Sequence, residues 1–200
     1  MMNKIKNSSN YYIVEDIISI LIPLGFAIFN GVFGLLKESI YNGAICVYYI
    51  LLLLVRALLV FLLHKETSEK KIRRGYLISF VMILLLNLAL IAPSILLLLN
   101  MKEVNVNIIV AISMATYTTY SISISIYNLK KYKHNTNILV KQLKMVSFIN
   151  AIVSVMVLQN TLIVVNGGYS KSLEILSIVS TIVFIIILNV LTIYEFIKNH

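Results

Sequence analysis

Tyr49 and Arg56 stand seven residues apart in the apolar stretch "YNGAICVYYILLLLVRALLVFLL". Seven residues make almost two helical turns, so the phenol and the guanidinium share one stripe, with Asn42 one repeat earlier. A charge near the middle of a membrane helix costs at least about 2.5 kcal/mol on insertion scales. Arg56 must therefore find a partner inside a bundle or lift its head toward lipid phosphates.

Other apolar runs offer polar groups at a matching level. Counting 1.5 Å per residue from the basic end of each run places Arg56, Asn87, Tyr120 and Ser154 all roughly 12 to 17 Å deep. Asn150 lies one turn before Ser154 on the same face. The expected site is a midplane pocket lined by Tyr49, Arg56, Asn87, Tyr120 and Asn150, the usual place for a substrate in small transporters. The competing reading is that amides and hydroxyls hold helices together at about 0.6 kcal/mol per contact, while Arg56 reaches the headgroups. Both readings remain open on the sequence.

Catalytic chemistry finds little to work with. No span holds a pair of acids, no H-E-x-x-H motif occurs, and neither a G-x-S-x-G elbow nor a glycine-rich phosphate loop is present. Cys46 is the single cysteine, which excludes an internal disulfide and any two-cysteine metal or redox site. His64 and His134 are read as loop residues without ligand-spaced partners. The expectation is a binding protein with no catalytic residue, no metal site and no cofactor.

The elements that position these residues follow from composition. Apolar residues make up 60% of the 200-residue chain and charged residues 12%, against about 45 to 50% and about 25% in soluble domains. The fold class expected is all-α: a polytopic membrane protein, a single transmembrane domain over residues 1–200 forming a six-helix bundle. The spans are read at about 17–36, 43–63, 76–99, 108–129, 145–165 and 175–194. In the first, Ala27, Gly31 and Gly34 form a small-residue face that lets another backbone approach. In the third, Pro93 removes a backbone donor and predicts a kink near the outer third.

The fourth span contains "SISISI", whose period of two argues for a strand in water. In lipid an unpaired strand leaves its backbone unsatisfied, so a helix is expected. Ser113, Thr116, Tyr117, Tyr120, Ser123 and Tyr127 then share an inward side, Ala111, Ala115, Ile122 and Ile126 face lipid, and the helix belongs at the bundle centre. The following loop, "KKYKHNTNILVKQLK", has a middle apolar enough to lie on the membrane surface as a short amphipathic piece.

The formal charge of +9 resides in loops, not in a patch that could track a phosphate backbone. No nucleic-acid partner is expected; the partners are the bilayer and either a small solute or another membrane protein. With six spans, thirteen Lys or Arg fall on the side of the termini and three on the other. That asymmetry predicts a cell-membrane protein with both termini cytoplasmic. Boundary tyrosines such as Tyr76, Tyr132 and Tyr194 agree with it. Glu15 and Asp16, at the cytoplasmic mouth of the first span, are candidates to pair with Arg56 or Lys65.

The runs "YNGAICVYYILLLLVRALL", "YTTYSISISIYNLKK" and "INAIVSVMVLQNTLI" together resemble a group of small six-span bacterial membrane proteins that carries no assigned activity. The resemblance implies the bundle and no catalytic residues. In size, span count and basic cytoplasmic loops the chain is also similar to the substrate-binding subunits of energy-coupling vitamin transporters. Its first span lacks the A-x-x-x-A docking pattern of that family.

Overall fold

A computed structural model describes residues 20–36, 39–64, 69–99, 108–132, 137–165 and 171–199. Helix α1 covers Ile20–Leu36. Ser39 then caps α2 (Ile40–His64), its hydroxyl accepting from the Asn42 amide at 3.3 Å, which satisfies one of the donors a helix start leaves open. The following helix, α3, spans Glu69–Ala89, and α4 continues its direction over Ile91–Leu99. The break between them follows from Pro93, whose missing N–H leaves the Ala89 carbonyl without its helical donor. Ser94 resumes the ladder by donating both amide and hydroxyl to the Leu90 carbonyl, at 3.4 and 2.8 Å.

Helix α5 covers Ile108–Lys131, α6 Ile138–Val165 and α7 Lys171–Asn199. Of the loop whose middle is expected on the membrane surface, residues 138–144 form instead the first two turns of α6. Asn137 caps that helix, its side chain accepting from the Leu139 amide at 3.0 Å, and Leu139, Gln142 and Leu143 are buried. The fifth span thus begins at Ile138 and not at Met145. Similarly, α7 starts at Lys171, one turn before the boundary read from hydropathy.

Among the described residues five helical stretches are long and apolar enough to cross a membrane: Ile40–Leu63, Ile72–Leu96, Ile108–Lys131, Ile138–Ile163 and Lys171–Lys198. Helix α1 is a shorter apolar helix. The centre of the bundle is α6, not α5: 67% of its membrane window is buried, against 39% for α5. It packs on α2, α3, α5 and α7.

Polar side chains on α6 reach each of those neighbours. Gln142 accepts from the Ser79 hydroxyl of α3 at 2.7 Å, Ser147 accepts from Arg56 of α2, Asn150 engages α5, and Asn160 accepts from Ser177 of α7 at 2.8 Å. Between membrane helices there is no water to expel, so packing and such bonds carry association. On α1 the small face is used inside the chain. A Cβ built on Gly34 would come within 3.1 Å of the Gly43 backbone nitrogen, and one on Gly31 within 3.1 Å of Cys46 Sγ. The two backbones meet because glycine stands on both sides.

Candidate functional site

The buried stripe of α2 runs through Ile45, Tyr49, Leu52, Arg56 and Leu59, as a repeat close to two turns dictates. Arg56 lies eight residues before the helix end at His64, about 12 Å in depth. It is 2% exposed, so the guanidinium neither reaches an aqueous edge nor lies among acyl chains. Its Nη2 donates to Ser147 Oγ at 3.2 Å, and that hydroxyl donates onward to the Leu143 carbonyl at 3.3 Å.

One turn further along α6, Asn150 sits between two residues of α5. Tyr117 donates its hydroxyl to Asn150 Oδ1 at 3.0 Å, and Asn150 Nδ2 donates to Ser121 Oγ at 3.0 Å. Thr118 donates to the Ser154 carbonyl at 3.1 Å, fixing α5 against α6 in the next turn. These groups surround a cavity of about 20 Å³ lined by Arg56, Tyr117, Tyr120, Ser121, Asn128, Ser147 and Asn150, with Ile22, Pro23 and Ile124 as its apolar wall. That volume holds about one water molecule. Among the described lining residues Arg56 is the charged one.

Three of the five predicted residues, Arg56, Tyr120 and Asn150, meet at this cavity. Tyr49 stands behind it. Its ring packs edge-on against Tyr117 at 5.9 Å and against Phe26 of α1 at 5.2 Å, while Phe26 stacks on Tyr117 at 4.4 Å. Asn87 lies elsewhere: its Nδ2 donates to the Thr192 hydroxyl at 3.1 Å and joins α3 to α7. Shared depth does not imply a shared site when the helices face different neighbours. Glu15, Asp16 and Lys65, the proposed partners around Arg56, lie outside the described residues.

Helix α5 is turned relative to expectation. Its packed stripe is Val110, Met114, Tyr117, Thr118, Ser121 and Ser125, and Ala111, expected against lipid, is buried. Thr116, Thr119 and Ser123 point outward, each donating to the carbonyl one turn back, at 3.0, 2.9 and 2.8 Å. A hydroxyl satisfied by its own helix needs no neighbour. This is why the serine-threonine content did not mark the inner face.

Several site residues escaped the sequence reading. Ser121 and Asn128 belong to the inner stripe that the rotated assignment skipped, and Gln142 was taken for a loop residue. The Asn128 Oδ1 and Ser125 Oγ atoms are buried and make no hydrogen bond among the described residues, and neither does the buried hydroxyl of Tyr48. A buried polar atom left unpaired costs about 1 to 3 kcal/mol. The polar interior thus holds more hydrogen-bonding capacity than helix packing uses.

Fold and site together define an all-helical bundle with a buried polar seam, built from helices able to cross a membrane. No family model, curated protein or solved structure matches the chain.

Proposed function

We propose that the chain is a small transport or solute-binding component of the cell membrane, with six spans and both termini in the cytoplasm. The basic bias of the loops next to the termini supports that orientation. The observation that carries the reading is Arg56, a buried guanidinium turned toward a cavity and flanked by Tyr120, Asn128 and Asn150. Structural adhesion alone would leave those groups paired, yet Asn128 Oδ1 is not.

The cavity as it stands admits about a water molecule, and solute entry requires its wall to move. The movable wall is α1, which contributes Ile22 and Pro23.

Accessibility tests the reading. In a Cys46→Ser background, cysteines at Tyr120 and Ser121 are expected to react with a membrane-impermeant thiol reagent from at least one face of sealed vesicles. Failure of both positions to react from either face would remove the aqueous route on which the proposal rests.

A second reading is a partner subunit of another membrane protein, docked on the exposed face of α5 that carries Thr116, Thr119 and Ser123. The small-residue face of α1 no longer supports it, since α2 occupies that face. Recovery of a discrete stoichiometric complex in mild detergent is its expected outcome, and a solitary monomer across detergents counts against it.

A further inference from the structure

We propose that the groove between α5 and α7 at the basic end of the bundle is a binding site for an anionic phospholipid, with the headgroup phosphate on Lys141, Lys144 and Lys198 and the acyl chains against Phe148 and Leu191. Both helices pack on α6, and the groove they leave open has a volume of about 280 Å³. That is an order of magnitude more than the Arg56 cavity.

Its lining is graded along the membrane normal. On α6 the lysines at 141 and 144 precede Met145 and Phe148, and on α7, which runs the opposite way, Leu191 precedes Glu195 and Lys198. Seven residues separate Lys141 from Phe148 and Leu191 from Lys198, and each interval is about 10 Å of helix. Both walls therefore change from cationic to apolar over one distance and in one direction. A soluble anion needs only the cationic half; a phospholipid uses both.

Two of the three lysines lie against aromatic rings. Lys144 is 5% exposed, and its ammonium lies 4.5 Å from the centre of the Tyr132 ring. Lys198 lies 5.8 Å from the Tyr194 ring. Cation–π contact retains the charge and gives the ammonium a fixed seat, which spares a ligand part of the cost of ordering it. Among the described lining residues Glu195 is the acid and three are lysines, so the described lining is net positive. Basic pockets between membrane helices at the level of the headgroups select anionic lipids for this reason.

The test is native mass spectrometry of the full chain in mild detergent, with dioleoyl phosphatidylglycerol or dioleoyl phosphatidylcholine added. The wild type is expected to retain one phosphatidylglycerol at a concentration at least tenfold below that needed for phosphatidylcholine. Each lysine neutralised should weaken retention by roughly fivefold, so that K141Q/K144Q/K198Q falls to the phosphatidylcholine level. K171Q, at the opposite end, should behave as wild type. Leu191→Trp keeps every charge and fills the apolar half, and it too should lose retention; with K198Q it decides the matter if the triple variant does not fold. Equal retention of the two lipids, or undiminished retention in L191W and K198Q, overturns the proposal. Displacement of the lipid by 10 mM inorganic phosphate would show a free-anion site instead and overturn it as well.

Discussion

Arg56 of α2 and Ser147 of α6, ninety-one residues apart in the chain, meet through a 3.2 Å hydrogen bond beside the polar cavity. The bond couples the helix that carries the charge to the helix at the bundle centre. Its two ends respond differently to removal. Ser147→Ala leaves the guanidinium in place with one acceptor fewer, a loss of about 1.5 to 3 kcal/mol for a bond to a charged group. Arg56→Met withdraws the guanidinium from every group it bonds, and taking one partner out of a buried charged contact is destabilising by more than the loss of a single hydrogen bond. The expected order of unfolding midpoints in mixed micelles is therefore wild type, then Ser147→Ala, then Arg56→Met. In R56M/S147A the serine effect should disappear. A full additive loss in the double variant would show that the serine acts through something other than the arginine.

The same substitution separates a site from an anchor. If Arg56 keeps the cavity hydrated, R56M should lower the thiol-labelling rate of a cysteine at position 120 at least tenfold while leaving the protein folded. A labelling rate equal to that of the arginine form would mean that the charge serves depth and packing alone.

Asn150 gives a sharper measure of the network. Tyr117 and Ser121 both depend on its amide, through bonds of 3.0 Å each. Asn150→Ala leaves two buried hydroxyls seeking partners and should destabilise by about 1 to 3 kcal/mol. Tyr117→Phe removes one partner and should cost less. Because the residues share one bond, the double variant should lie close to Asn150→Ala, with a coupling of at least about 0.5 kcal/mol. Strict additivity in the cycle would show that the observed contact carries no energy.

How far the sequence revealed this arrangement depended on contrast within each helix. In α2 an arginine and a tyrosine stand out among leucines, so their seven-residue spacing gave the buried stripe directly. Asn87 on α3 is equally legible as an inward residue, and it is buried. On α5 hydroxyls occur all around the helix. Polarity could not mark its inner side, because a serine bonded to its own backbone is nearly as content in lipid as in protein. The start of α6 was missed for the opposite reason: Lys141 and Lys144 read as loop charges. In the fold, Gln142 between them donates to the Tyr76 carbonyl at 3.3 Å, and the Tyr132 ring receives Lys144. Those partners lie 66 and 12 residues away, beyond the reach of periodicity.

That difference on α5 predicts opposite tolerances for chemically similar substitutions. Thr116→Val, Thr119→Val and Ser123→Ala each delete a hydroxyl that bonds only one turn back, and each should change the unfolding free energy by less than about 0.5 kcal/mol. Thr118→Val and Ser121→Ala delete bonds that cross to α6 and should cost about 1 kcal/mol. Parallel denaturant titrations of the five variants check the ranking. Equal costs on the two faces would mean that α5 packs with its outer hydroxyls against protein, as the partner-subunit reading requires.

The glycines of α1 provide the last test, because two of them differ in what a side chain would meet. A Cβ at Gly25 meets nothing within 4 Å, whereas one at Gly34 approaches the backbone of Gly43 at 3.1 Å. Gly25→Ala should be neutral or stabilising by up to about 1 kcal/mol, the gain in helix propensity. Gly34→Leu cannot be absorbed by a rotamer change, since the neighbour is main chain, and it should push α1 away from α2. Tilting α1 moves Ile22 and Pro23 off the cavity, so this variant should raise the labelling rate at position 120 as it lowers stability. Faster labelling together with a lower midpoint would mark α1 as the wall that opens. Lower stability with unchanged labelling would place the entry between other helices.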